Sequence, residues 1–289
     1  MVTKHTIIAL FFKALLVMSV TRTEIAPAKV TIVRPKVVVW DLGGVLFRSS
    51  RLSLAIEIGL GCLIHYTITH LPSPAFNELL FNILNHIEPM PEDTIRLHDE
   101  KGRELPYYMY KWITGQEKGP QINQEIQEFI DSDKQPGFFS GATQKKVCSR
   151  LSDTLFMPKT FAHGVKPIKA GRDLLRACRE RGTARMMILS NWDSLSFELL
   201  RTSPAGSVIL RHFDAHDCMI SGSIGYAKPD PRCFKHFLNT YALAAHDCVF
   251  IDDQLENVEA AKKCGMHGIH LAKGDYHAVA ATLRSFDIL

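Results

Sequence analysis

Five polar residues stand at the ends of apolar runs, and a sixth in a loop, where a chain can turn them on a charged group. Asp41 follows Val37-Val38-Val39-Trp40, Ser190 and Asn191 follow Met186–Leu189, and Asp252 and Asp253 follow Cys248–Ile251. Lys228 sits in the loop Gly225-Tyr226-Ala227-Lys228-Pro229. Taken singly, an aspartate after a strand is often a helix N-cap. Ser-Asn is a common turn pair, and a lone lysine is usually solvated. Taken together they have a shared logic. Asp41, Asp252 and Asp253 gather negative charge, and carboxylates repel one another unless something neutralises them. Magnesium does so with hard oxygen ligands and keeps positions open for water and substrate phosphate. With the metal and Lys228 screening a phosphoryl group, an anionic carboxylate can attack it, while Ser190 and Asn191 hydrogen-bond the remaining oxygens. A carboxylate nucleophile that forms an aspartyl-phosphate is a known covalent strategy. Charge stabilisation and alignment supply most of the rate in such chemistry.

Residues spread from 41 to 253 need an architecture that gathers them. Lys36–Trp40 reads as a buried strand that ends in turn chemistry at Asp41-Leu42-Gly43-Gly44. Beyond Pro167, a helix through Ile168, Leu174 and Cys178 precedes a strand at Met186–Leu189. The spacing then predicts a helix over Ser194–Leu200, a strand over Ala215–Ile220 and a helix over Arg232–Tyr241, with Pro231 in its first turn. A strand at Cys248–Ile251, a helix at Leu255–Cys264, a strand at His267–Leu271 and a helix at Tyr276–Ser285 complete the pattern. Strands alternating with helices indicate an α/β fold, a doubly wound parallel sheet with helices on both faces. Ligands bind such sheets at the carboxyl ends of the strands, and that rim is where the six residues fall.

From about Ser50 to Phe161 the pattern is helical instead. Ser73-Pro74 starts one helix, and Ile122, Ile126 and Ile130 share the face of another. The expected division is an N-terminal apolar leader or linker at 1–35, an α/β core at 36–48 and 162–289, and a helical insertion at 49–161. Tyr107, Tyr108, Tyr110 and Trp112 are candidates for its inner face, and Trp192 and Tyr226 for the rim. Packing is the ordinary role for such aromatics.

Composition narrows the classes. With 34 basic and 30 acidic residues scattered along the chain, there is no basic footprint for nucleic acid. Seven cysteines, none at C-x-x-C spacing, read as buried core thiols rather than a zinc site or disulfide framework. The histidines show no metal spacing. Residues 6–20 are apolar, and Ala26-Pro27-Ala28 follows as a candidate cleavage site, so the segment resembles a signal peptide. Lys13 interrupts it and the run is short for a span. The expectation is a cytoplasmic protein, with export or membrane attachment through residues 6–20 as the alternative.

The residues match a known pattern. Val37 to Leu46 resembles the first motif of the haloacid dehalogenase superfamily, Ile188-Leu189-Ser190-Asn191 the second, and Ala227-Lys228-Pro229-Asp230 the third. Val249 to Asp253, with Asn257 and Ala260-Ala261, resembles the fourth. The resemblance runs from about Lys36 to Leu271 and implies a Rossmann-like core. The helical insertion is similar to the family's C1-type cap. It implies that Asp41 is the nucleophile and a metal ligand, and that Gly43 offers its backbone carbonyl to Mg2+. Asp253 would ligate the metal directly and Asp252 through water. Ser190 and Lys228 would hold the phosphoryl group, with Asn191, Gly43 and Gly44 at the substrate.

Gly43 departs from the pattern. Most phosphatases of the family carry there a second aspartate that protonates the leaving group, help typically worth 10²–10⁴-fold. A good leaving group, a substitute residue or water, or lost turnover would each accommodate its absence. The leading expectation is a phosphohydrolase acting on a small phosphorylated metabolite such as a sugar phosphate. A 2-haloacid dehalogenase would tolerate Gly43, but those relatives use no metal and lack the acidic pair. A non-catalytic binding or scaffolding protein is the third alternative.

Overall fold

A computed structural model describes residues 35–59, 76–99, 102–132 and 137–289. The leader at 6–20, the Ser73-Pro74 helix start and Cys62 lie outside the described residues. The chain opens with β1 (Val37–Trp40) and β2 (Phe47–Ser49). Next come α1 (Arg51–Ile58), α2 (Phe76–Ile87), α3 (Tyr107–Ile113), α4 (Gly119–Asp131), α5 (Ala142–Phe156) and α6 (Pro158–His163). After β3 (Val165–Pro167) come α7 (Lys169–Arg181), β4 (Arg185–Ser190), α8 (Ser194–Thr202) and α9 (Pro204–Leu210). The chain continues through β5 (Cys218–Ile220), α10 (Ser221–Ile224), α11 (Pro231–Thr240), β6 (Cys248–Asp252), α12 (Leu255–Lys263), β7 (His267–His270) and α13 (Tyr276–Ser285).

Among the described residues a five-stranded sheet runs β5-β4-β1-β6-β7, every pairing parallel. β1 lies at its centre and is buried along its length, as a strand covered on both faces must be. Successive side chains of a strand point to opposite faces. Val38 and Trp40 accordingly pack with Leu175 of α7 and Leu283 of α13, while Val37 and Val39 pack with Phe234 and Phe237 of α11. This is the doubly wound α/β architecture that the alternating pattern predicts.

β2 and β3 form an antiparallel pair, Phe47 opposite Pro167 and Ser49 opposite Val165. The chain leaves the core along one of these strands and returns along the other, with α1 to α6 between them. Those helices have their own apolar cluster, in which Ile122 and Ile126 are fully buried, as the sequence spacing requires. Gly115 ties the insertion to the core. A Cβ there would lie 2.2 Å from the Gly222 carbonyl oxygen, and its φ of +71° also favours glycine. Nearby, Ser221 Oγ donates to the Ile113 carbonyl at 2.7 Å.

Some boundaries differ from the sequence reading. Ala215–Asp217 is a 3₁₀ turn, and the strand begins only at Cys218. The Asp217 amide donates back to Asp214, and its buried carboxylate receives the Arg185 guanidinium, so the segment turns instead of extending. Ser190 and Asp252 close their strands rather than follow them. The hairpin strands β2 and β3 are too short to carry an alternating signal. α9 is marked by Ser203-Pro204, a capping residue followed by a proline at the first turn.

Cys148, Cys178, Cys233 and Cys248 are free thiols buried in the apolar clusters. Burial pushes their thiols up to about 11 for Cys178 and about 12 for the other three. The thiolate is the reactive form. At pH 8, a chromogenic disulfide reagent should therefore label none of these four in the folded protein and all four once it is unfolded. Peptide mapping that finds one labelled before unfolding would show that its cluster opens.

Candidate active site

The sheet assembles the site through strand order. Trp40 and Ile251 are partners across β1 and β6, so the residues after them, Asp41 and Asp252, emerge side by side. The Asp41 amide donates to the Ile251 carbonyl at 3.0 Å, which anchors the turn. Lys228 reaches in from the loop after α10, and its Nζ donates to Asp41 Oδ1 and to Asp252 Oδ2, each at 2.7 Å. All three side chains are buried, Lys228 to 1% exposure. Burial alone would lower the lysine's pKa, but Asp252 and Asp41 reverse the effect and hold it above the usual lysine range. The Asp41 carboxyl is pushed up to about 6 by burial, Lys228 opposing the rise and Asp252 adding to it.

Asp252 is fully engaged. Besides Lys228, it accepts from the Gln254 amide at 2.8 Å and from Asn257 Nδ2 at 3.1 Å. Asp253 is half-exposed and lies against Gly44, where a Cβ would fall 2.0 Å from Asp253 Oδ2. Gly44 thus lets the second carboxylate of the pair approach, and its φ of +69° suits glycine as well. At Gly43 there is space. A Cβ there would meet only Asp41 Oδ2, at an ordinary 3.8 Å. The glycine that replaces the expected aspartate is not enforced by crowding.

Asn191 and Lys228 are joined reciprocally. Asn191 Nδ2 donates to the Lys228 carbonyl and the Lys228 amide donates to Asn191 Oδ1, both at 2.8 Å. The asparagine amide thus locks the lysine loop onto the end of β4. The Ser190 hydroxyl is buried beside Asp41 and helps lower its pKa, yet no hydrogen bond of ordinary geometry satisfies it. Asn257 Oδ1 is also buried and unpaired. A ligand oxygen or a water is the natural partner for such groups.

The acids fit a divalent cation. One oxygen from each of Asp41, Asp252 and Asp253 lies within 4.8 Å of the others. The donors are all hard oxygens from three carboxylates, the donor set that suits magnesium.

A cavity of about 260 Å³ opens over these groups, with Asp41, Lys228, Asp252 and Asp253 at one end. Gly43, Gly44 and Asn191 also border it. Of the aromatics singled out in the sequence, Trp112 and Trp192 line it. Tyr108 instead donates to Glu125 within the insertion, Tyr107 stacks on Tyr110 at 6.0 Å, and Tyr226 lies under Arg232. The sequence reading missed Phe47, Met109, Leu155, Phe161 and Asp193, which also line the cavity. Asp193 could have been noticed, two residues after Asn191 at the start of a helix. The apolar ones carry no signal that separates a cavity wall from a core.

The haloacid dehalogenase-like hydrolase model matches residues 35–265, and the chain belongs to that family. A sesquiterpene phosphatase from Aspergillus oryzae is 32% identical over 108 residues, 37% of this chain and 52% of the relative. A phosphoserine phosphatase from Thermus thermophilus is 28% identical over 101 residues, 35% of this chain and 38% of that one. The chain thus spans about half the length, or less, of these curated relatives. A HAD family enzyme from Bacteroides thetaiotaomicron, solved with magnesium and inorganic phosphate, shares the fold with a TM-score of 0.51 and 17% identity, covering 83% of this chain and 96% of that one. A HAD-like family hydrolase from Porphyromonas gingivalis does so with a TM-score of 0.53 and 18% identity, covering 87% and 98%.

Lys228→Met removes the ammonium that joins two buried carboxylates. Breaking a buried pair costs about 3–5 kcal/mol, so urea unfolding at neutral pH should register a loss of that order. An unchanged midpoint would mean that the Lys228 contacts do not hold the site together.

Proposed function

We propose that this chain is a magnesium-dependent phosphohydrolase that removes phosphate from a small phosphorylated substrate through a covalent intermediate on Asp41. The observation that carries the reading is the buried Asp41–Lys228–Asp252 network with Asp253 beside it, at the carboxyl end of the sheet. Relatives named as phosphatases support it.

Asp41, Asp253 and the Gly43 carbonyl would hold magnesium, with Asp252 beside them, and the bound ion would supply neutralising charge to the acids and the phosphoryl oxygens. Lys228 fixes Asp41 Oδ1, which leaves Oδ2 to attack phosphorus. The new O–P bond forms as the bond to the leaving oxygen breaks. Water then attacks the acyl-phosphate, releasing inorganic phosphate and restoring the carboxylate. Ser190 and Lys228 hold phosphoryl oxygens, and Asn191 acts by positioning Lys228. Residues 36–48 and 162–289 form the catalytic core in this reading, and 49–161 a cap that closes over it and excludes water.

The Asp252-Asp253 pair disfavours a dehalogenase. Gly43 is the one observation that favours a non-catalytic protein, because it has no side chain to protonate the leaving group. Among the described residues no helix is long and apolar enough to cross a membrane, and the segment at 6–20 lies outside them.

The decisive assay is phosphate release from acetyl phosphate and aryl phosphate, with magnesium and with chelator. Wild-type protein should be active only with the metal, and Asp41→Asn should be silent. Activity that survives in the Asn variant would exclude Asp41 as nucleophile. Gly44→Ala should push Asp253 off the cluster and raise the magnesium concentration needed for half-maximal activity. A left-handed alanine there also costs about 1–2 kcal/mol. Because the space at residue 43 is open, Gly43→Asp should accelerate esters with poor leaving groups by about 10²-fold or more, and acetyl phosphate far less. Equal effects on both would show that leaving-group protonation is not what Gly43 lacks.

A further inference from the structure

The chamber above the acids has two unlike ends. Beyond Asp41 and Lys228 its wall is made by Phe47, Met109, Trp112, Leu155, Phe161 and Trp192. Phe47 comes from β2 and Trp192 from the loop after β4, while the other four come from the helical insertion. The rings meet edge to face, Trp112 with Phe161 at 5.3 Å, Phe161 with Trp192 at 5.6 Å and Phe47 with Trp192 at 6.4 Å. The principal carboxylate on this wall, Asp193, spends its Oδ1 on capping α8 through the Ser196 amide at 3.0 Å. Trp112 and Trp192 each bring one indole N–H and Asp193 one unpaired oxygen, Oδ2, so this wall can satisfy few of a sugar's hydroxyls, and burying the rest carries a penalty that apolar groups do not incur.

A second cavity of about 380 Å³ adjoins the first and shares Asn191 and Lys228 with it, but it borders none of the three acids. Apart from Lys228, which is held by Asp41 and Asp252, its charged side chains are paired with one another. His98 meets Glu256 at 3.0 Å, and Arg103 Nε donates to Asp99 at 2.8 Å. A group attached to a phosphate at Asp41 therefore extends into the aromatic chamber.

We propose that the substrate is a phosphate ester of an apolar, hydrocarbon-like alcohol whose chain fills the chamber between the insertion and the sheet. This rests on the phosphohydrolase reading and replaces the sugar phosphate expected from sequence. Insertion and core each supply part of the wall, so the ester is recognised only where the two meet.

The test is a chain-length series of n-alkyl monophosphates from ethyl to octyl, used below micelle formation, beside glucose 6-phosphate and acetyl phosphate, with magnesium and the full chain. Each buried methylene is worth about fourfold in binding. kcat/KM should rise by about that factor per carbon until the chamber is full, leaving glucose 6-phosphate roughly 100-fold or more below octyl phosphate on the same scale. Leu155→Gln, at a half-buried wall position, should flatten the series. Binding is followed independently of turnover in Asp41→Asn by the fluorescence of Trp112 and Trp192, which should respond to octyl phosphate at lower concentration than to ethyl phosphate. A flat or inverted series with acetyl phosphate still cleaved would overturn the apolar substrate and leave the phosphohydrolase standing. Loss of acetyl phosphate cleavage with tight, length-dependent binding retained would overturn the phosphohydrolase and keep the apolar chamber. Fluorescence that favours glucose 6-phosphate over octyl phosphate would overturn the chamber's assignment whatever the turnover.

Discussion

A lysine ammonium held between two carboxylates in the interior is the constraint on which this site depends. Removing charges from water is expensive, and only close mutual contact with added hydrogen bonds offsets that. Lys228 meets the condition with both Asp41 and Asp252 at 2.7 Å, and Asp252 meets it with the Gln254 amide and Asn257 as well. To bring the lysine there, its loop must lie on the end of β4, and the reciprocal Asn191 pairing holds it. Asp230, next but one along, caps α11 through the Arg232 amide and so fixes the far side of the same loop. The charged centre and the backbone around it stabilise each other.

The same centre explains how polarity is divided. Asp41, Lys228, Asp252 and Asp253 gather at one end of the cavity, where the buried Ser190 hydroxyl and Asn257 carbonyl oxygen lack partners. The other end is mainly aromatic and aliphatic, its polar atoms the Asp193 carboxylate and the indole N–H groups of Trp112 and Trp192. Low dielectric around the apolar end strengthens the electrostatics at the polar end, so the wall serves the chemistry as well as the fit.

Glycine has opposite meanings at two adjacent positions. Gly44 is favoured by its left-handed backbone and by the approach of Asp253, which a side chain there would displace. Gly43 has an open flank and an ordinary backbone, so its lack of a carboxylate is a chemical feature rather than a packing solution. Sequence alone presents these two residues as one Gly-Gly turn.

Much of the architecture was legible along the chain. Val37–Trp40 and Cys248–Ile251 are continuous apolar runs, and only strands buried on both faces need them. The acids after them were legible for the same reason, since the end of a buried strand is where a polar residue can surface. The helix Gly119–Asp131 showed in the spacing of Ile122, Ile126 and Ile130. Short-range signals failed where the partner is remote. β2 and β3 are strands only because Phe47 meets Pro167 across the whole insertion, and Asp217 turns because it holds Arg185. The sequence by itself determined which residues could bear charge at the rim and that a parallel sheet would collect them. Tertiary structure alone decided that Asn191 grips the lysine loop, that Tyr108 packs inside the insertion, and that Phe47, Leu155, Phe161 and Trp192 form one wall. Apolar side chains carry no mark of whether they will face a core or a cavity; that depends on which distant surfaces the fold brings opposite them.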